Sequence, residues 1–309
     1  MAKSQYDKKF INIELKEEVR LKEAANPPGK RIMDHIIWMD NEVIPGAFYS
    51  EVVWFWPGVI GPPEEMRKKP GLAEHSHPFD EVLAYLGTDP KDPHDLGGEI
   101  EFWLGGQQFN MTKSFMVYIP AGMKHCPLKH ISINRPIFHF TMGPGTMYTK
   151  DEKVTAAPQL KDKSKYFVYH DKPNLKLPEF RHPIPEKVAH RLFYLDSEVV
   201  PGANFYTEAL WFWPGDRPKL KEGEIPKGAP EAHTHSFPEF IGFFGSNTKD
   251  IHDLGGEVEL WIDGKKNVMT NSFLAFVPAG VVHCPLVIRR IGDRPIFHFT
   301  AGPSQMYSL

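Results

Sequence analysis

The sequence predicts an all-β protein built as two duplicated barrels or sandwiches, with helix a minor part. Three observations carry that reading. The intervals 75 to 233, 77 to 235, 81 to 239 and 125 to 283 are all 158 residues, and each joins identical residue types. A repeat this long, present twice, means duplicated domains and not a solenoid of short units. Short runs of β-branched and aromatic residues bounded by Pro and Gly read as strands. The 29 Pro and 25 Gly among 309 residues leave little room for long helices.

Taken in order, residues 1 to about 30 are charged and helix-compatible. Glu14 to Ala25 is rich in strong helix formers, and Asn26-Pro27-Pro28-Gly29 stops any helix there. Strand-like runs follow from Ile36 to Gly58 and recur from Leu192 to Gly215, each ending in Trp-Phe-Trp-Pro-Gly. In the first half, Val59-Ile60-Gly61-Pro62-Pro63 then breaks the run before the His pair. Gly98 to Gly105 and Gly256 to Asp263 alternate clearly. There Ile100, Phe102 and Leu104 form one face, and Glu99, Glu101 and Trp103 an opposite, solvated or interface face. Ser114 to Pro120 and Ser272 to Pro278 are apolar strands feeding a Pro-x-Gly turn. The expected organisation is an N-terminal arm plus first barrel over 1–148, a polar, Lys-rich linker over 149–164, and a second barrel over 165–309.

The bulk properties exclude several function classes. A formal charge of -3, with no cluster of Lys and Arg beside an aromatic platform, argues against nucleic acid as a partner. No apolar run approaches the roughly 18 residues that span a bilayer, and no signal core follows the N-terminus, so a cytoplasmic protein without a membrane partner is expected. Cys126 and Cys284, the only cysteines, each follow a repeated His. Strand alternation turns them away from that His, as reduced core residues.

The chemistry lies in a repeated donor set. His75, His77, Glu81 and His125 in the first half match His233, His235, Glu239 and His283 in the second. On an extended strand His-x-His projects both rings to one face, and a carboxylate four residues later stays on that face if the strand continues. The distal His, three residues after Gly122 or Gly280, closes the set only if the sheet curls. Three neutral imidazoles and one carboxylate are mixed nitrogen and oxygen donors for a divalent ion, and a six-coordinate ion keeps two open positions. Those positions suit a bidentate oxygen-bearing substrate, or substrate and dioxygen together. Iron(II) or manganese(II) is therefore favoured at each of two sites, with nickel, zinc and copper as alternatives.

These residues resemble the cupin superfamily, and specifically a bicupin. Its first motif is matched by His75, His77, Glu81 and Gly87 and by His233, His235, Glu239 and Gly245. Its second, Pro-x-Gly-x-x-His, is matched by Pro120, Gly122 and His125 and by Pro278, Gly280 and His283. The resemblance covers about 110 residues of each half. It implies two tandem jelly-roll barrels and a metal-dependent enzyme among dioxygenases, decarboxylases, oxidases and isomerases. Lys129 and Val287 stand where the family often has Asn. No serine-rich lid or carboxylate-binding Arg can be read off, which weakens an assignment to oxalate.

Continuing the alternation, Leu83, Tyr85, Ile241 and Phe243 should point into the barrels beside the metal, with a phenol only in the first. Tyr85, His139 and His298 are the candidate catalytic groups, the two His as acid, base or support for a ligand. His94 and His252 lie in a long loop, as a lid or a turn cap. The leading expectation is oxidative cleavage or decarboxylation of a small oxygen-bearing organic substrate. Sugar or keto-acid isomerisation and a non-catalytic, ligand- or metal-binding bicupin are the alternatives. Edge strands and repeated aromatics admit a homo-oligomer.

Overall fold

The computed structural model describes residues 4–25, 32–58, 60–152, 155–176, 185–215, 220–221 and 223–309. In chain order these form β1 (Ile11–Asn12), α1 (Glu17–Ala24), β2 (Met33–Met39), β3 (Tyr49–Phe55), α2 (Pro63–Lys68), β4 (Glu81–Leu86), β5 (Asp95–Leu104), β6 (Gln107–Lys113), β7 (Phe115–Ile119), β8 (His125–Ile133) and β9 (Ile137–Gly143). A short 3-10 turn at Lys163–Tyr166 leads to β10 (Phe167–Val168). There follow β11 (Ala189–Leu195), β12 (Tyr206–Phe212), β13 (Glu239–Gly245), β14 (Asp253–Ile262), β15 (Lys265–Asn271), β16 (Phe273–Val277), β17 (His283–Ile291) and β18 (Ile296–Gly302). Helix is confined to α1, α2 and the 3-10 turn among the described residues, as the composition predicts. None of these helices is long and apolar enough to cross a membrane.

The chain divides into two compact units. One comprises Leu15–His170 with Ser197–Asn204, the other Met1–Glu14 with Asp171–Asp196 and Phe205–Leu309. Each holds a six-stranded antiparallel sheet and a three-stranded one. The orders are β10-β7-β4-β9-β3-β2 with β6-β5-β8, and β1-β16-β13-β18-β12-β11 with β15-β14-β17. In the first unit Phe55 and Tyr85 of the large sheet meet His130 of the small one, with ring centroids 4.1 Å and 5.7 Å apart. In the second, one buried cluster draws Phe212, Ile241 and Phe243 from the large sheet together with Val258, Leu260 and Ile262 from the small one. Two facing sheets with apolar interiors are the jelly-roll solution to burying a half-apolar sheet.

The unit boundaries differ from those drawn on the sequence. Residues 1–14 group with the second unit, because β1 pairs with β16 and places Phe10 and Ile11 in that unit's core. Residues 165–170 group with the first, because β10 pairs with β7. Two-residue strands leave no period to read. The helix expected over Glu14 to Ala25 is found at Glu17–Ala24, while its Asn26 to Gly29 stop lies outside the described residues.

A second difference concerns the alternating strand β5. Ile100, Phe102 and Leu104 are fully buried as expected, but Glu101 is buried as well. Its carboxylate is 2.9 Å from Lys129 Nζ and accepts from Trp103 Nε1 at 3.3 Å. Glu259 repeats this with Arg289 and Trp261, both at 2.9 Å. Pairing with a cation on the neighbouring strand lets the outer face carry a buried acid.

Candidate metal centres

Each donor set is assembled where a sheet edge closes on a turn. His75 N donates to His125 O at 3.0 Å and His125 N to His75 O at 2.9 Å, and the same reciprocal pair joins His233 and His283 at 3.0 Å. Gly122, at φ 73, and Gly280, at φ 74, take the left-handed conformation the turn requires. Their amides donate to His77 O and His235 O, both at 2.8 Å. The His-x-His segment is not regular strand, as the sequence suggested. It makes one isolated bridge, bends at residues 78–79 or 236–237, and regular pairing starts at Glu81 or Glu239.

The rings converge all the same. Every Nδ1 donates to a backbone carbonyl: Ala73 for His75 at 2.8 Å, Thr149 for His77 at 2.6 Å, and Met123 for His125 at 3.1 Å. In the second unit the acceptors are Glu231, Ser308 and Val281 at 2.6, 2.6 and 3.2 Å. These tethers fix the tautomer and leave each Nε2 lone pair facing inward, the arrangement that supports metal-ligating His. Within each triad the ligand atoms lie within 4.8 Å of one another. Glu81 Oε2 is 3.6 Å from His77 Nε2 and 3.2 Å from His125 Nε2, and Glu239 Oε2 is 3.7 and 3.1 Å from the equivalents. Donors bonded at about 2.1 Å to one octahedral ion would sit roughly 3 Å apart, so the cages need only small adjustment. The buried Nε2 atoms of His77 and His235 carry no hydrogen bond among the described residues, as a ligand lone pair should.

The electrostatics agree with ligation. Burial opposes a charge on Glu81, but His125, His77 and Thr141 outweigh it and hold the carboxyl down at about 2. Glu239 is lowered against the same burial penalty by His283, His235 and Tyr206. Burial lowers His75, and burial with the facing imidazoles brings His233 to about 3. The carboxylates are thus ionised and His75 and His233 neutral, as a divalent ion requires, whereas the facing Glu81 outweighs burial and raises His125.

Around the cages stand groups that the sequence did not single out. Tyr148 Oη lies 3.5 Å from His75 Nε2 and Tyr307 Oη 3.3 Å from His233 Nε2. A Met-Tyr pair shortly after Gly-Pro recurs in both halves and could have flagged them. One side-chain step deeper, Glu51 pairs in register with Thr141, and Glu208 with Thr300. His35 is held by Glu23 at 2.6 Å and Glu51 at 3.3 Å. Arg191 Nε is 2.9 Å from Glu208. A register shift between His35 and Ile37, repeated between Arg191 and Phe193, brings these two cations to matching positions.

The candidate catalytic groups lie deeper still. His139 and His298 donate Nδ1 to Ala84 O and Gly242 O, both at 2.7 Å, and burial takes each ring down to about 4, so both are neutral. Tyr85 faces the interior but not beside the cage, since four strand residues from Glu81 are roughly 13 Å. It stacks with Phe55 and Phe115 and meets His130 Nε2 at 3.3 Å. His94 is half-buried in a turn closed by Asp92, as in the turn-cap reading.

In the second unit a cavity connects these layers, lined by His233, Glu239 and His283 together with Glu208, His298 and Thr300. Cys284 also lines it, contrary to the alternation argument. Its φ of 70, matched by 72 at Cys126, interrupts the extended strand directly after the His and reorients the side chain. Both cysteines are buried and neither is in a disulfide, and burial pushes the Cys126 thiol up to about 12.

No protein-family model and no curated protein sequence matches the chain. Solved structures do. An arginine-to-alanine variant of Bacillus subtilis oxalate decarboxylase is 13% identical at TM-score 0.50, with 88% of this chain and 73% of that chain covered. A structure of the same enzyme directed at its Mn(II) centres is 14% identical at TM-score 0.50, with the same coverage. With its sheets duplicated and a His-rich cage in each unit, the chain has the bicupin fold.

Proposed function

We propose that this chain is a metal-dependent bicupin enzyme that acts on a small oxygen-bearing organic substrate by decarboxylation or oxidative cleavage. The observation that carries the reading is the set of six Nδ1 tethers, which commits six inward Nε2 atoms beside two ionised carboxylates. A cage kept for packing alone would not need every imidazole held in one tautomer. His75, His77, Glu81 and His125, and His233, His235, Glu239 and His283, are the proposed ligands. A bound iron(II) or manganese(II) ion would supply Lewis-acid polarisation and two positions for substrate oxygens.

The chain's own residues do the rest. Leu83 and Ile241 wall the interior beside Glu81 and Glu239, and the large apolar rings beyond them exclude water. His298, neutral and lining the cavity, is the proposed proton acceptor of the second barrel. His139 takes that place in the first, with the Tyr85 ring packed against it at 4.2 Å between centroids. The fold shared with oxalate decarboxylases that hold Mn(II) supports decarboxylation among the chemistries open to this donor set.

Elemental analysis of anaerobically purified protein should give two divalent ions per chain. Incubation with α-keto acids, diols and enols should then release carbon dioxide or consume dioxygen. Carbon dioxide without dioxygen uptake identifies decarboxylation, and uptake identifies oxidative cleavage. Substrate interconversion with neither identifies an isomerase. Tight ligand binding without turnover would replace the enzyme reading by a binding protein.

A further inference from the structure

The second barrel carries a carboxylate that the proposed ligand set leaves unused. Glu208 stands two residues past Tyr206 on β12, on the same face of the strand, and the Tyr206 hydroxyl donates to Glu239. It lines the same cavity as His233 and His283, at 5% exposure. Oε2 accepts from Arg191 Nε at 2.9 Å and Oε1 from Thr300 at 3.3 Å. A carboxylate has about four lone-pair sites, so acceptor capacity remains toward the cavity.

The charges around it decide what can enter. A divalent ion with Glu239 and Glu208 is neutral, and Arg191 is matched by Asp171, 3.6 Å away. No Lys or Arg lines the cavity among the described residues. The first barrel reaches the same balance with different side chains: an ion with Glu81 and Glu51 is neutral, and His35 is matched by Glu23. A guanidinium and an imidazole at one bulge position preserve one sum, so the neutrality is a property of both barrels. A dianionic guest would bring two uncompensated charges into a buried space, where an unpaired charge is costly. A neutral guest would not. Its hydroxyl finds Glu208 as acceptor, and its body meets Pro230, Ile241 and Leu286.

We infer that the second barrel binds a neutral, hydroxyl-bearing small molecule of the diol or enol class, with Glu208 accepting its hydroxyl hydrogen bond, in preference to a dicarboxylate. This rests on the metal-centre reading above and narrows its substrate.

The test is calorimetric titration of the Mn(II)-loaded full chain with catechol, with its mono-methyl ether and with oxalate, metal content being measured on the same samples. Catechol should bind at least tenfold more tightly than either comparison compound. Glu208→Gln should abolish one catechol equivalent per chain while both ions stay bound. If the single variant leaves Arg191 unbalanced and fails to fold, Arg191→Met with Glu208→Gln removes both charges and should lose the same equivalent. Oxalate binding as tightly as catechol, or catechol binding unchanged in a metal-replete variant, overturns the inference and leaves the metal centres standing. Failure to load ions stoichiometrically overturns the metal-centre reading itself, and this inference with it.

Discussion

The Tyr85 hydroxyl lies 3.3 Å from His130 Nε2 across the interior of the first barrel, and the positions 158 residues on hold Phe243 and Ile288. The donor cages are duplicated, but the floors beneath them are not. Tyr85→Phe should cost the first barrel about 1–3 kcal/mol by stranding a buried ring nitrogen. Phe243→Tyr should cost the second a similar amount, because its new hydroxyl faces Ile288. Urea denaturation followed by fluorescence checks both, and a stabilised Phe243→Tyr protein would contradict the assigned facing of the two sheets.

His35 should make the first barrel pH-sensitive. Burial opposes its charge, but hydrogen bonds to Glu23 and Glu51 win and raise it to about 9. A folded value above the unfolded one near 6.5 means stability is fully present below about pH 6.5 and is lost as pH rises through 9. The loss should be on the order of 3 kcal/mol. Denaturation curves at pH 6, 8 and 10 read it directly, and His35→Gln should flatten the trend. The second barrel, with Arg191 in the matching place, keeps its charge over this range.

Metal removal should be separable by unit. His75→Ala should remove one equivalent and His233→Ala the other, with the double variant empty. Because ions bind the folded cages, a chelator should lower the thermal midpoint of the native chain and leave the double variant unmoved. Elemental analysis paired with calorimetry scores this, and full loading of either single variant would exclude that triad.

Phe10→Ala should destabilise the second barrel by about 3–5 kcal/mol, the usual cost of deleting a buried Phe. The ring sits at 3% exposure in that unit's core, and Phe276 N donates to Phe10 O at 2.8 Å. Hydrogen exchange should show faster exchange at β16 and β13, with β4 and β7 unaffected.

The donor residues are legible in the sequence because His-x-His, Glu and Pro-x-Gly-x-x-His keep their order at a fixed interval, and chemistry dictates the residue types. Glu51 and Glu208 are not, since a lone Glu in an alternating strand reads as a solvated position. His35 and Arg191 are hidden further, because they differ in type between copies and match only through a bulge. Alternation also misplaced Cys284, where a left-handed backbone conformation at one residue cancels a rule that assumes extended strand. Antiparallel sheets and buried faces followed from pattern, but the partner of a two-residue strand is fixed only by the space left for it.

Because Ile11 pairs with Ala275, β1 belongs to a sheet in which its neighbouring strand is made some 260 residues later. At roughly 5–20 residues per second that is a delay on the order of tens of seconds. Through that interval Phe10 and Ile11 have no finished core to enter, so the nascent chain carries an apolar, pairing-competent segment while the first barrel is already able to close. Completion of the second barrel is therefore a late docking of β1 onto β16.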